Sequence, residues 1–258
     1  LSYERIVIDD GAPVARLTLC WPEKRNALSV QMMQEITRGL KELSARDDVR
    51  AIVLAAEGPA FSAGHFLPEM VDKDLPHQRF VFETCIEMMD TVQGISEPVI
   101  AEVPGIATAA GCQLVATCDL AVAAEGARFA TPGVKIGLFC TTPMVALSRA
   151  VGRKRAMQML LTGELISAET ASDWGLVNFV VPPERLREET DKLARKVADA
   201  SSLVISLGKQ AFYTQIDLDQ GKAYGYAKEV MSMNAVALDA QEGMSAFLEK
   251  RAPCWVGK

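Results

Sequence analysis

Histidine is the scarcest chemistry-bearing residue in this chain, with only His65 and His77 among 258 residues. Neither belongs to an H-x-x-x-H or H-E-x-x-H pair, and the six cysteines, Cys20, Cys85, Cys112, Cys118, Cys140 and Cys254, contain no C-x-x-C. Those spacings are what bring two ligands to one metal ion, so the pattern argues against a metal centre. The cysteines sit instead among apolar neighbours, the pattern of buried free thiols in a reducing compartment. Basic residues are also short: 27 Lys and Arg against 33 Asp and Glu leave a net charge of −6. That balance speaks against nucleic acid or an anionic membrane as a bulk partner. No apolar run approaches the roughly 18 residues of a spanning helix, so no membrane insertion is expected. No signal-peptide pattern opens the chain, and it reads as cytoplasmic, or as a mitochondrial matrix protein if a leader has been removed. Neither G-x-G-x-x-G nor G-x-x-x-x-G-K-[ST] occurs, which takes the main support from a dinucleotide or P-loop site.

What remains is apolar and helical. A 49% hydrophobic composition over this length fits one large domain, with or without an appendage. Val14 to Leu19 alternates as a strand, and Trp21 to Leu28 then turns into a helix that Ser29 can cap. In that helix Met32, Met33, Ile36, Leu40 and Leu43 recur at three- and four-residue steps and define a buried face. Ala51–Ala56 and Pro98–Val103 are short continuous apolar runs suited to buried parallel strands. Gln78 to Val92 is helical in pattern, and so is Pro143 to Gly163. Ser167 caps a short helix ending at Gly175, and Leu176 to Val181 reads as a last strand. From Pro183 onward the pattern is all helix, with breaks near Ser201, Asp217 and Asp239. The expected fold class is therefore α/β, with alternating strands and helices followed by a helical tail.

Two loops carry the chemistry. The stretch from Val103 to Leu114, VPGIATAAGCQL, leaves a strand and enters a helix almost wholly on small residues, until Gln113. Small side chains leave the first-turn N–H groups unobstructed, and these, with the helix dipole, favour an anion or a developing negative charge. The same small residues also suit plain close packing. The second loop, Ala60-Phe-Ser-Ala-Gly-His, repeats this logic after another strand. It nearly spells the nucleophile elbow G-x-S-x-G around Ser62, which makes a serine hydrolase the rival reading. Against it, His65 and His77 both follow Ser62 too closely for the usual serine, acid, histidine order.

Taken together, PEKRNAL from Pro22, AFSAGH from Ala60, VPGIATAAGCQL from Val103, CDLAVA from Cys118, FATP from Phe129, IGL from Ile136 and QEGMSAFLEKR from Gln241 resemble the crotonase, or enoyl-CoA hydratase/isomerase, superfamily over nearly the whole chain. The nearest pattern is the branch that includes the enoyl-CoA hydratase domain-containing protein 3 group. The resemblance implies a crotonase-like spiral over residues 1–200, with residues 201–258 a C-terminal helical trimerisation region, in homotrimers or homohexamers. It implies an acyl-CoA thioester as ligand, coenzyme A entering as part of the substrate rather than as a bound cofactor, and a lyase or isomerase of fatty acid metabolism. The thioester oxygen would rest on the backbone N–H groups of His65 and Ala110. Lys24 and Arg25 would meet the nucleotide phosphates, with Ala27, Ala63 and Phe66 also along the coenzyme. Phe247 and Lys250 would reach the adenine end, often of a neighbouring subunit's ligand.

The departures matter as much. The family's hydratases place glutamates where this chain has Gln113 and Gly133, and other members place an acid where it has Cys140-Thr141-Thr142. Hydration needs a group to activate water and a proton source for the α-carbon, and neither glutamine nor glycine supplies one. Weak or absent hydratase activity is expected, and restoring both acids is expected to raise it. Glu69 is a candidate for the missing acid. Decarboxylation of a methylmalonyl-CoA-like substrate, thioesterase-like activity, or a non-catalytic acyl-CoA-binding subunit are the alternatives. Phe66 stands where an aspartate usually follows Gly-His, which removes an expected helix cap.

Overall fold

The computed structural model describes residues 2–258. Two sheets are built strand by strand as the chain advances. The first has six strands in the order β1 (Ile6–Asp9), β2 (Val14–Leu19), β3 (Ala51–Ala56), β5 (Val99–Val103), β7 (Leu120–Ala124) and β10 (Phe179–Val181). The second has four, in the order β4 (Ala60–Ser62), β6 (Ile106–Thr108), β8 (Arg128–Ala130) and β9 (Ile166–Ser167). Three successive turns, β3 with β4, β5 with β6 and β7 with β8, each give one strand to each sheet, and pairing within these series is parallel. The spiral therefore stacks the ends of β4, β6 and β8 side by side.

Helices follow the strand pairs: α1 (Val30–Ser44), α2 (Leu75–Gly94), α3 (Ala110–Thr117), α4 (Pro143–Ala150), α5 (Arg153–Thr162) and α6 (Ala168–Trp174). The face of α1 read from the sequence is buried: Met32, Met33, Ile36 and Leu40 are fully inaccessible, and the Ser29 hydroxyl accepts from Met32 N–H. After β10, α7 (Leu186–Ala198) packs on β2, β3, β5 and β7, whereas α8 (Ser202–Gln215) packs on α2 and on α9 (Gln220–Ala235), and α10 (Leu238–Glu249) on α8 and α9.

Five sequence readings need correction. Helix α2 begins at Leu75, not Gln78, because Asp74 caps it and Pro76 falls in the first turn, where a missing N–H costs nothing. The segment from Pro143 to Gly163 is two helices, parted at Val151 and Gly152, the glycine at φ +77°. The last strand spans only Phe179–Val181. The chain after Glu249 is not helical: the Asp239 carboxylate accepts from Ser201 Oγ, Val256 N–H and Gly257 N–H and holds the tail back against the helices. All six cysteines are free thiols, and Cys254 is exposed rather than buried.

Candidate functional site

Two turns hold the first half of the site. Arg25 and Asn26 both adopt left-handed backbone (φ +52° and +49°) at the end of the 3-10 turn Pro22–Lys24. Asn26 is wholly buried: its Oδ1 accepts from Trp21 N–H, and its Nδ2 donates to the carbonyls of Glu57 and Ala60, each at 2.8 Å. Asn26 thereby ties the turn to the start of β4. Ala63 N–H reaches Arg25 O, and Leu28 N–H reaches Gly64 O. Phe66 N–H returns to Leu28 O. These bonds use the groups on either side of His65, and His65 N–H itself has no acceptor among the described residues.

The second half stands beside it because β4 and β6 are neighbours. Ala109 is held at φ +51°, an unfavourable value for alanine that costs of order 1–3 kcal/mol. Its N–H donates to Ala130 O at 2.9 Å, which fixes the kink from β6 into α3. Ala110, the first residue of α3, is buried and its N–H has no acceptor among the described residues. Glycine at 64 permits the approach, since a Cβ there would stand 2.8 Å from Ala109 Cβ and 3.2 Å from the Ala110 nitrogen. Two N–H groups without acceptors lie at the ends of adjacent strands, one of them opening a helix, which is the arrangement that a donor pair for an oxyanion requires.

The structure brings Gln113 and Gly133 to this corner. Gln113 lies one turn into α3, its N–H bonded to Ala109 O, and is 5% exposed with no partner for Oε1. Gly133 follows β8 by three residues and is boxed in: a Cβ there would lie 2.4 Å from Leu138 O and 2.7 Å from Cys140 Sγ. Gly133 N–H points at that sulfur at 3.3 Å. A glutamate at 133 would therefore require the 138–140 loop to move, because that loop occupies the space such a side chain needs. Burial raises the Cys140 thiol and pushes the Cys112 thiol up to about 12, so neither is a thiolate nucleophile near neutrality.

Glu69 is elsewhere engaged. It closes the 3-10 turn Leu67–Glu69, and its Oε2 accepts from Val30 N–H at 2.9 Å, where the positive end of α1 holds it. Ser62 is not set up as a nucleophile: it is fully buried in β4, its Oγ donates to Asn26 O and accepts from Gly64 N–H, and no histidine bonds it. The His65 ring packs edge-on to Phe82, and burial lowers its pKa below the usual value. Phe66 packs against Trp21 in place of a polar cap. Lys24 and Arg25 are exposed and free of ion pairs among the described residues, beside buried Ala27 and half-buried Ala63. Phe247 is 83% exposed on α10 and Lys250 ends that helix in left-handed backbone; α10 packs on α8 and α9, not on this corner. Sequence reasoning missed Asn26 and Thr131. For Asn26 the signal was the pair of left-handed-tolerant turn positions before Ala27, and for Thr131 there was none.

This geometry has counterparts. The family model for enoyl-CoA hydratase/isomerase matches residues 9–258. A mitochondrial enoyl-CoA hydratase domain-containing protein 3 from Danio rerio is 49% identical over 245 residues, 94% of this chain and 84% of that protein. The human protein of that name is 47% identical over 243 residues, 94% and 80% of the two chains. Among solved structures, an enoyl-CoA hydratase of Mycobacterium smegmatis superposes with a TM-score of 0.95 at 47% identity, covering 98% of this chain and 99% of that one. The human domain-containing protein 3 does so with a TM-score of 0.95 at 45% identity, covering 98% and 100%. The chain belongs to the enoyl-CoA hydratase/isomerase family, with the crotonase fold.

Proposed function

We propose that this chain binds an acyl-CoA thioester, stabilises its enolate on the N–H groups of His65 and Ala110, and hydrates a 2-enoyl thioester poorly. The observation that carries the reading is the coexistence of two unpaired N–H groups at adjacent strand ends with a corner that holds no carboxylate. Donors aimed at a developing oxyanion are worth about 3–4 kcal/mol each by analogy with measured oxyanion holes. Hydration further requires a base for water and an acid for the α-carbon, and Gln113 and Gly133 are neither. An enolate formed by loss of carbon dioxide needs the donor pair but no such base, so decarboxylation is the second reading; binding without turnover is the third.

Coenzyme A enters with the substrate and no separate cofactor is needed. Lys24 and Arg25, as unpaired cations, suit its phosphates; Ala27, Ala63 and Phe66 line the approach. Phe247 and Lys250 suit a neighbouring subunit's ligand, which makes residues 201–258 the trimerisation region and a homotrimer or homohexamer the assembly. Exposed Phe212, Tyr224, Met231, Val236 and Leu248 on these helices are suited to such burial. The proposed compartment is the mitochondrial matrix for a eukaryotic source, by likeness to the relatives' names, and the cytoplasm otherwise. No helix among the described residues is long and apolar enough to cross a membrane.

The test is steady-state hydration of crotonyl-CoA beside a two-glutamate relative, with binding of an acyl-CoA panel followed in parallel. The rate is expected to be lower by about 10²-fold or more, the usual contribution of acid–base groups. A rate within about tenfold of the relative overturns the reading, given that lower bound.

A further inference from the structure

A cleft of 290 Å³ lies where β3 and β5 begin, walled by the chain before each strand and by residues between Val197 and Ser206. It shares no residue with the corner around Ala110, which lies past the ends of β4 and β6. Glu97 lines the cleft, is 9% exposed, and has its Oε2 buried without a hydrogen-bond partner among the described residues. Lys209 does not serve it: its Nζ bonds the Glu97 carbonyl at 2.8 Å and pairs with Asp119 instead of the Glu97 carboxylate. Two arginines also line the cleft. Arg46 is taken by Asp48 and Asp10, whereas half-buried Arg50 has no ion pair among the described residues, so no nitrogen of it comes within 4.0 Å of Glu97. A desolvated carboxylate without a partner is destabilising, and a cationic group is what completes it.

The chemistry of the occupant follows from the two unpaired charges and from the backbone around them. Ser44 ends α1, Ser96 follows the end of α2, and Val197 lies in the last turn of α7, so three negative helix ends lie at the cleft. Ser202 and Leu203 open α8 and bring a positive end to the same space. No group of His, Cys, Asp and Glu side chains that could hold a metal ion occurs among the described residues, so the cation that fits is an ammonium. A simple anion would meet the charge of Glu97 and a simple cation that of Arg50. A molecule carrying one charge of each sign gives both a partner. The volume is well above the roughly 30 Å³ that one water takes up in the liquid, leaving room for several non-hydrogen atoms. We infer that this cleft binds a small zwitterion, an aliphatic amino acid whose ammonium rests on Glu97 and whose carboxylate rests on Arg50. Exposed Asp47, also on the cleft, adds to the attraction for the ammonium end.

Calorimetric titration of the full-length protein with glycine, 3-aminopropanoate, 4-aminobutanoate and 5-aminopentanoate tests this, beside the alkylammonium and the carboxylate of each chain length. At least one of these amino acids is expected to bind about tenfold more tightly than either singly charged analogue, the low end for a hydrogen bond to a charged group. Glu97→Gln, close to isosteric, is expected to weaken that amino acid about tenfold and to leave the carboxylate analogue unaffected. Arg50→Gln is expected to weaken it as much and to leave the alkylammonium unaffected. Unfolding midpoints without ligand give a second readout: Glu97→Gln is expected to raise the midpoint, because it removes an unpaired buried charge. A lowered midpoint would mean that Arg50 closes onto Glu97 in solution, and overturns the inference. No saturable binding by any of the amino acids overturns it as well, as does equal binding of a singly charged analogue or an affinity unchanged in both variants. The thioester reading stands in each of these cases.

Discussion

Two buried polar regions of this protein obey opposite rules. At the back of the first sheet, Arg16 bonds both Glu102 Oε1 at 2.8 Å and Asp191 Oδ1 at 2.7 Å. Nearby in kind, Lys209 Nζ meets Asp119 Oδ2 and the carbonyls of Val92 and Glu97, each at 2.8 Å, while Tyr213 donates to the other Asp119 oxygen. Arg16, Lys209 and Asp119 each meet a charged partner far away in the chain, while Glu102 Oε2 and Glu97 Oε2 are buried without one. Around Ala110 the groups are neutral, and Gln113 Oε1 and Thr131 Oγ1 are buried without partners. Satisfied charges fasten α8 to the sheet, whereas unsatisfied neutral groups are left for something else to bond. A buried polar group thus reads as architecture or as site according to whether the fold completes it.

The sharpest way to break this contrast is to remove one side of the paired region. Lys209→Met leaves Asp119 buried and uncompensated, and a loss of about 3–5 kcal/mol is expected in urea unfolding. A loss below about 1 kcal/mol, the range of exposed pairs, would put Lys209 with the surface charges and dissolve the distinction. The next largest effect is expected at Gly133→Glu. Its new side chain must displace Leu138 O and Cys140 Sγ. Overpacking of this kind costs about 1–3 kcal/mol, and the variant is expected to gain no hydratase activity even beside Gln113→Glu. Gain of turnover in the double variant would show that the 138–140 loop yields readily. Gln113→Leu has the opposite sign: replacing an unpartnered buried amide by an apolar side chain of similar size is expected to be neutral or stabilising by up to about 1 kcal/mol in the same assay. Destabilisation comparable to Lys209→Met would mean that Gln113 belongs to the architecture.

What the sequence revealed follows which interactions are local. The strands Val14–Leu19, Ala51–Ala56 and Val99–Val103 and the face of α1 were legible because burial writes its period directly into adjacent residues. The loops around His65 and Ala110 were legible as small-residue turns. The start of α2 was misread because Pro76 looks like a break although it lies where a helix tolerates it. Lys209 and Asp119 are 90 residues apart and nothing local couples them. The crowding at Gly133 was invisible for the same reason: a glycine reads as an absent side chain, and only the folded 138–140 loop shows that the space is taken. Thr131 reads as an ordinary loop hydroxyl until its burial and lack of a partner are known.

The smallest expected effect sharpens the contrast at a single titratable ring. Lys209 Nζ is met by Asp119 and two carbonyls; burial lowers the His65 pKa, with the Leu28 backbone acting the other way. A histidine held neutral by the fold is protonated more readily in the unfolded chain. Its contribution to stability is therefore complete above the unfolded pKa of about 6.5 and is lost as pH falls through the lower folded value. Wild-type unfolding midpoints are expected to decline on acidification from pH 7.5 to 5.5, the first part of that window. His65→Phe, which keeps the edge-on contact with Phe82 and the backbone donor but removes the titration, is expected to decline less. Parallel pH profiles for the two proteins would mean that the ring finds a partner when charged, and His65 would then belong with the satisfied region rather than with the corner around Ala110.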